Sequence, residues 1–284
     1  MQIGFYTSTF SDRPIEEVFD FARASGFDAV EIDVGGHIKS PGKVGSVAAA
    51  AQDRGLIVSS IALFGNQLDP DPAKREALRQ STADYVSATA EAGVPILIIF
   101  PGRDATASED ANYRDFADYL NDLLTSPRSA ALTLAIENWP GPNNDFIATT
   151  PEGWKKLGAL VPSPRFGLEF DPSHLLRLGV DPYAAFDEVK HRTKILHAKD
   201  TAVDSARLQR VGYHGQGWWR YALPGLGLLD WTRFLRQARA AGYDGIVSVE
   251  HEDAEFGWPG MSLDLRKDGE LRALAYLRQT LAAL

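Results

Sequence analysis

The sequence predicts an α/β fold, a closed (β/α)8 TIM barrel that forms a single domain over residues 1–284, and three observations support this prediction. Eight short β-rich runs alternate with amphipathic helical stretches such as "PIEEVFDFARAS" and "LDWTRFLRQARAA", an order typical of parallel α/β folds. The length of the chain suits such a barrel. No Pro-, Ser- or Gly-rich linker divides the sequence, so we expect one domain.

The strands follow from a local pattern that recurs along the chain. In residues 23–33, 53–63, 91–100 and 239–250, helix-forming residues are followed by a Gly and then by a β-rich run. Because a Gly just past the last helical turn readily adopts the left-handed conformation that ends a helix, each copy indicates a helix-to-strand junction. With the less regular copies added, the strands are expected, in chain order, at residues 2–6, 29–33, 57–62, 96–100, 132–137, 166–171, 194–199 and 246–250.

The connections favour the barrel over a doubly wound open sheet. The first strand-to-helix turn reads "YTSTFSDRP" and lacks the spaced glycines of a dinucleotide site. After the seventh strand, residues 200–229 hold glycines and aromatic residues without clear periodicity. A connection of this length is often an active-site loop, and we expect one here.

Composition and charge exclude several classes of function. The formal net charge is -9, so no global positive field attracts nucleic acid or anionic lipid. The chain has no cysteine, which removes thiolate zinc sites and cysteine nucleophiles and fits a reducing compartment. The start lacks the apolar core of a signal peptide, and no apolar run approaches the roughly 18 residues of a membrane helix. We therefore expect a soluble, cytoplasmic protein with neither nucleic-acid nor membrane partners.

The last four predicted barrel strands end on side chains that can bind a metal ion. These side chains are Glu137, Asp171, His197 and Glu250. On the fifth strand the apolar Leu132, Leu134 and Ile136 alternate with Glu137, so the apolar set faces the outer helices and the carboxylate faces the barrel axis. Strand ends at the C-terminal face of a barrel are where its active site forms, and the four side chains are expected to meet there.

The chemistry of this set indicates the kind of ion. Three carboxylates and one imidazole suit a hard or borderline divalent ion, so we expect one metal ion, Mn²⁺ or Mg²⁺ ahead of Zn²⁺ or Co²⁺. Taken singly, an acid at a strand end is more often a helix cap or the partner of a nearby base. The matching parity on four strands favours the metal site. His174, three residues after Asp171, lies at a predicted helix start and either faces substrate or caps structure.

Four motifs make the chain resemble a known family. The motifs are "ENWP", "DPSHL", "HAKD" and "VEHED", and the resemblance is to the xylose isomerase-like barrel proteins known as sugar phosphate isomerases/epimerases, which include ketose 3-epimerases and inosose-processing enzymes. The resemblance implies metal binding by Glu137, Asp171, His197 and Glu250, and substrate binding by His174. After the seventh strand, "HAKDTAVDSARL" is closer to members with an H-x-K-D motif than to the ketose epimerases, which carry an Arg-containing substrate segment there.

These residues suggest removal of a proton α to a carbonyl. A divalent ion stabilises the resulting enediolate, while Glu137 and Glu250, on opposite sides of a bound sugar, act as acid and base. We expect epimerisation or isomerisation of a ketose or keto-sugar. The alternative is a lyase or dehydratase that acts on a keto-inositol or 3-keto-glycoside through the same intermediate. Metal-dependent cleavage of abasic DNA fits six histidines and an acidic chain less well, and sugar binding without turnover is the non-catalytic interpretation.

Further side chains are candidates for contact with this small-molecule sugar substrate. Lys199, in phase with His197, either contacts substrate or pairs with Glu169 or Asp200. Glu169 would otherwise tune the metal ligands from one layer deeper. The remaining substrate-binding candidates come from "ENWP" and from the long segment: Trp139, His214, Trp218 and Arg220. No Gly-rich loop with a following Lys appears, which favours a neutral sugar over a phosphate. Apolar residues near the long segment are compatible with a homodimer.

Overall fold

Eight parallel strands form one closed barrel in the computed structural model, which describes all 284 residues. In chain order these are β1 (Gln2–Tyr6), β2 (Ala29–Asp33), β3 (Ile57–Leu63), β4 (Ile96–Ile99), β5 (Thr133–Glu137), β6 (Phe166–Phe170), β7 (Thr193–Ala198) and, after a two-stranded insertion, β10 (Ile246–Val249). Each strand pairs with its neighbours in sequence order, and β10 closes the ring against β1. The predicted TIM barrel is confirmed, since an open sheet has two edge strands with one partner each, whereas every strand here has two.

Helices cover the outside of this barrel. They are α1 (Ile15–Ser25), α2 (Val34–His37), α3 (Val44–Gln52), α4 (Pro72–Glu91), α5 (Glu109–Thr125), α6 (Pro151–Leu160), α7 (Pro172–Leu178), α8 (Pro182–Val189), α9 (Ser205–Val211), α10 (Trp231–Ala240) and α11 (Leu263–Ala282). Gly26, at φ 88°, ends α1 in the left-handed conformation expected of the helix-to-strand junctions. None of the helices combines the length and the hydropathy that crossing a membrane would take.

The strand residues divide between two apolar layers according to parity. Leu134 and Ile136 belong to the large core between barrel and helices, whereas Ala135 packs inside the barrel with Ala62, Ile98 and Ile195. This small interior layer fills the barrel below its C-terminal mouth. Glu137 has the parity of Ala135, so the strand that buries its apolar face outward directs the carboxylate toward the axis.

The long segment after β7 contains regular structure rather than an irregular loop. β8 (Asp200–Val203) pairs antiparallel with β9 (Trp219–Ala222), and α9 connects them. Asp200, at the start of this excursion over residues 200–229, binds residues at its end. Its Oδ1 accepts from the backbone N of Leu229 at 3.1 Å, and its Oδ2 accepts from Trp231 Nε1 at 3.1 Å. The hairpin is therefore fastened to the start of α10.

Candidate metal centre and active-site cavity

Four side chains meet at the C-terminal mouth of the barrel as the strand ends predict. Glu137 is the last residue of β5, Asp171 follows β6, His197 lies in β7 and Glu250 follows β10. One ligand atom from each lies within 4.8 Å of the others, and all four residues are buried. The four residues lie on or just after strands that are neighbours in the closed sheet. Their position in the alternating pattern of each strand directs the side chains toward the barrel axis.

His197 presents its two ring nitrogens to different groups. Nδ1 lies 2.9 Å from Glu250 Oε2 and 3.5 Å from Glu137 Oε1. Nε2 lies 3.1 Å from Glu31 Oε2 and 3.0 Å from Glu169 Oε1, deeper in the barrel. An imidazole that gives one nitrogen to carboxylates can offer the other to a metal ion, so Nδ1 is the atom that faces the centre.

Asp171 combines the two roles between which the sequence could not decide. Its Oδ1 accepts from the backbone N of Ser173 at 2.7 Å and caps α7. Its Oδ2 has no hydrogen-bond partner and is turned to the cluster. Asn138 fixes the backbone beside it, because the amide of Asn138 exchanges two 2.8 Å hydrogen bonds with the N and O of Asp171.

The donor set fits a divalent cation. Asp171 Oδ2 and His197 Nδ1 are buried without hydrogen-bond partners, an arrangement that costs on the order of 1–3 kcal/mol per group unless another partner satisfies them. Three carboxylates and one imidazole also place more negative than positive charge in a buried volume. A divalent ion held by Glu137, Asp171, His197 and Glu250 satisfies both requirements.

Glu137 and Glu250 lie in different electrostatic surroundings. Burial, reinforced by the charge of Glu250, raises the pKa of Glu137 to about 8. Burial also acts to raise the pKa of Glu250, but Lys199 and His197 outweigh it and hold that pKa well below its usual range. Two carboxyl groups with separated pKa values can serve as an acid and a base.

Lys199 lies at the mouth of the barrel and contacts three carboxylates. Its Nζ is 2.5 Å from Glu250 Oε2, 2.8 Å from Glu252 Oε2 and 3.2 Å from Asp171 Oδ2. The predicted pairing with Glu169 or Asp200 is wrong: Glu169 contacts His197 one layer below, and Asp200 faces the start of α10. Lys199 therefore contacts the carboxylates at the mouth of the barrel. It does not contact Glu31 and Glu169, which lie one layer deeper beside His197.

A cavity of about 270 Å³ opens above these groups. Its polar side includes Glu137, Glu250, Lys199, Tyr6, Ser8 and Ser11, and its apolar side includes Phe64, Phe100, Trp139 and Trp258. Trp139 packs between Phe64 and Phe146 at ring distances of 5.2 Å each. The cavity thus joins hydrogen-bonding groups to an aromatic wall, a combination suited to a small ligand with polar groups and an apolar face, and it includes the predicted Trp139 and Lys199.

Of the six predicted substrate-binding residues, His174, His214, Trp218 and Arg220 do not line this cavity. His214 is exposed on the excursion between β8 and β9. Trp218 is buried against Tyr213 at a ring distance of 5.4 Å, and Arg220 pairs with Asp253 at 3.0 Å. These three residues lie between β8 and the end of β9, in a hairpin that the sequence pattern did not reveal, and their predicted role gains no support from the structure.

His174 lies behind the four candidate metal ligands, and both of its ring nitrogens have a polar neighbour. It is fully buried; its Nε2 is 3.0 Å from Glu137 Oε1 and its Nδ1 is 2.7 Å from the Tyr221 hydroxyl. Burial, together with the charge of Lys199, lowers the pKa of His174 well below its ordinary value. It supports Glu137 in this arrangement, and its contact with substrate stays a prediction.

Several residues of the site were not predicted. Glu252 could have been found from "VEHED", where it lies two residues after Glu250 and has the same parity. Glu31 ends the run "AVE" on β2, but only closure of the barrel brings it to His197 across 166 residues. Tyr221 carries no sequence signal, because the pairing of β8 with β9 decides its position.

Fold and site together define a TIM-barrel protein with a buried carboxylate and imidazole cluster at its C-terminal mouth. The chain belongs to the xylose isomerase-like TIM barrel family, whose model matches residues 19–279, and this confirms the resemblance carried by the four motifs.

Individual relatives differ in how much of the chain they match. An uncharacterized protein of Bacillus subtilis, YfiH, is 26% identical over 89% of this chain and 93% of its own length. The inosose dehydratase of Lacticaseibacillus casei is 28% identical over 37% of each chain. Among solved structures, D-psicose 3-epimerase from Clostridium cellulolyticum, crystallised with D-tagatose, has a TM-score of 0.75 at 15% identity and covers 99% of both chains.

Proposed function

We propose that the chain is a divalent-metal-dependent epimerase or isomerase of a ketose or related keto-sugar. The observation that carries this proposal is the convergence of Glu137, Asp171, His197 and Glu250 beneath a cavity with one aromatic side. The structural likeness to a D-psicose 3-epimerase supports it. Epimerisation needs two groups that exchange a proton with the same carbon from opposite faces.

Glu137, Asp171, His197 and Glu250 would hold the metal ion, with Mn²⁺ or Mg²⁺ preferred for the oxygen-rich donor set. When bound, such an ion supplies Lewis acidity that stabilises negative charge on a substrate oxygen.

The two glutamates divide the proton transfers. Glu250 is held ionised by Lys199 and His197, which makes it the base that removes the proton α to the carbonyl. Burial and the charge of Glu250 favour the protonated form of Glu137 more than the surroundings of Glu250 favour its own, so Glu137 is the group that returns a proton from the other side. A metal ion lowers both pKa values but leaves Lys199 beside only one of the two carboxylates.

The charge around the cavity favours a neutral substrate. Lys199 is the one lysine or arginine among the lining residues, and three carboxylates already surround its ammonium group. A phosphate group would meet uncompensated negative charge here, and no second cation lines the cavity to bind it. The Phe64, Phe100 and Trp139 wall instead suits the C–H face of a sugar.

A dehydratase acting on a keto-inositol or 3-keto-glycoside is the second candidate. The partial match to an inosose dehydratase supports it, as does Lys199 within 2.5 Å of Glu250. An ammonium group at that place can donate a proton to a departing hydroxyl, which elimination requires and epimerisation does not.

Incubation with Mn²⁺ in D₂O, over a panel of ketoses, inososes and 3-keto-glycosides, tests the proposal and separates the two candidates. Incorporation of solvent deuterium into an isomeric sugar supports epimerisation or isomerisation, while an unsaturated product supports the dehydratase. Glu137→Gln and Glu250→Gln, assayed at saturating Mn²⁺, should each lower turnover by about 10²- to 10⁴-fold. Glu91→Gln, at the exposed end of α4, should not change it. Metal binding without deuterium exchange on any member of the panel would contradict the proposal.

A further inference from the structure

The hairpin of β8 and β9 reaches the candidate centre through one side chain, Tyr221. In the hairpin Tyr221 lies opposite Thr201, and Thr201 Oγ1 donates to the backbone O of Ser173 at 2.8 Å. This bond fastens the hairpin to the first turn of α7, which carries His174. As a result the Tyr221 hydroxyl lies 2.7 Å from His174 Nδ1.

Arg177 determines which way the hydrogen of this phenol points. Its Nη1 lies 2.5 Å from the Tyr221 oxygen, and a guanidinium group can only donate. The phenol oxygen therefore accepts from Arg177. His174 Nδ1 is the other partner that the structure gives the phenol, at 2.7 Å. A phenol that accepts from Arg177 and donates its O–H to Nδ1 uses both contacts, and in this arrangement Nδ1 carries no hydrogen.

The guanidinium group of Arg177 is itself held in place. It lies 4.5 Å from the ring centre of Trp219 and 5.8 Å from that of Tyr221, and it also donates to Asn144 Oδ1. Stacking and hydrogen bonding fix the plane of a guanidinium more firmly than either does alone. Arg177, which lies on α7 and donates to the phenol, is thus held in place by its packing against Trp219 of the hairpin.

The other ring nitrogen completes the chain of bonds. A neutral imidazole without hydrogen on Nδ1 carries it on Nε2, and His174 Nε2 lies 3.0 Å from Glu137 Oε1. Lys199 Nζ is 3.4 Å from the same nitrogen, a longer contact than its hydrogen bonds of 2.5 Å to Glu250 and 2.8 Å to Glu252. The nearer group at Nε2 is Glu137 Oε1, and we assign the Nε2 hydrogen to that oxygen.

We propose that Tyr221 is a positioning residue that fixes the tautomer of His174, so that the imidazole donates to Glu137 and holds this carboxylate in place. The role in turnover rests on the proposed function, whereas the tautomer is a property of the folded chain alone. The chain of bonds runs from Arg177 through Tyr221 and His174 to Glu137. Partners of this kind behind a ligand typically contribute about 10- to 100-fold to affinity or activity.

Tyr221→Phe removes the hydroxyl and keeps the ring, and Tyr243→Phe is the matched control. Like Tyr221, Tyr243 is partly buried, and its phenol donates to the backbone O of Ile246 at 2.6 Å, at the opposite end of the barrel from the candidate centre. In ¹⁵N imidazole spectra of the Mg²⁺-loaded protein, with His174 assigned by a His174→Asn variant, we expect the Nε2–H tautomer in the unmodified chain and in Tyr243→Phe. In Tyr221→Phe the Nδ1 resonance should lose the signature of an accepted hydrogen bond.

Kinetics provide the second measurement. Tyr221→Phe should lower kcat by about 10-fold or more and leave KM within about twofold, because it alters the support of Glu137 and not a substrate contact. Tyr243→Phe should retain both values. An Nδ1–H tautomer in the unmodified chain, or an unchanged His174 spectrum in Tyr221→Phe, would overturn the inference even if no substrate were turned over. A changed spectrum with no activity on any keto-sugar would leave the tautomer standing and reject the proposed function.

Discussion

At the scale of single residues, Asp171 shows how one carboxylate meets a structural and a chemical demand together. One oxygen caps α7 and the other faces the cluster without a partner. The sequence "DPSH" offers both interpretations, since Asp followed by Pro is a common helix start. Only the closed barrel brings the second oxygen to Glu137, His197 and Glu250.

Asp171→Asn separates the two roles. Asn also caps helices, so the free energy of unfolding should change by less than about 1 kcal/mol, while the affinity for Mn²⁺ should fall at least tenfold, since changes one layer further out already cost about 10- to 100-fold. Asp181→Asn is the matched control, because Asp181 caps α8 through the same Asp-Pro arrangement far from the centre. Titration calorimetry with Mn²⁺ and urea unfolding measure both quantities. Equal Mn²⁺ affinities in the two variants would contradict the ligand role.

At the scale of elements, the strands were predictable and the hairpin was not. Observed strand bounds lie within about one residue of the expected ones because alternating parity and Gly-ended helices are local signals. The pairing of β8 with β9 joins residues about twenty apart with no repeat in polarity. For that reason His214, Trp218 and Arg220 were expected at the cavity, while Tyr221 was missed.

The packing of α11 against the first loop leads to a pH-dependent prediction. Glu270 on α11 is fully buried, neither carboxylate oxygen has a hydrogen-bond partner, and Thr9 Oγ1 beside them has none either. Burial raises the pKa of Glu270 well above its ordinary value of 4.5. The folded chain therefore binds this proton more tightly than the unfolded chain, so stability is greatest below the ordinary pKa and is lost as pH rises toward the folded one.

Glu270→Gln should remove that loss. We expect the variant to match the unmodified chain at pH 5 and to exceed its free energy of unfolding by on the order of 1–3 kcal/mol at pH 8, the usual cost of an unpartnered buried polar group. Urea unfolding at both pH values gives the difference. Glu91→Gln, on exposed α4 surface, should show no pH-dependent gain. A variant that is less stable than the unmodified chain at pH 8 would show that Glu270 is ionised and stabilised in the fold.

At the scale of the whole molecule, the closed barrel brings four candidate metal ligands from different strands into one cluster, so we expect metal binding and folding to be linked. An ion that binds only the folded chain stabilises it by about 2.7 kcal/mol at a free concentration 100 times its Kd. For a chain of this size that corresponds to a rise in Tm of about 5 °C.

Thermal unfolding with Mn²⁺, and again after addition of a chelator, measures this linkage. The rise should be reversed by the chelator and should be largely absent in Asp171→Asn at the same Mn²⁺ concentration. A Tm that does not respond to Mn²⁺, Mg²⁺, Zn²⁺ or Co²⁺ would contradict a metal centre at these four residues.

The strand order of the barrel is complete without residues 200–229, yet this excursion supplies Tyr221 to the support of Glu137. Substitutions in the hairpin can therefore change the hydrogen bonds that hold Glu137, while the barrel strands that carry the candidate ligands keep their sequence. Divergence of catalytic behaviour among proteins of this architecture should accordingly be sought in such insertions as well as in the barrel itself.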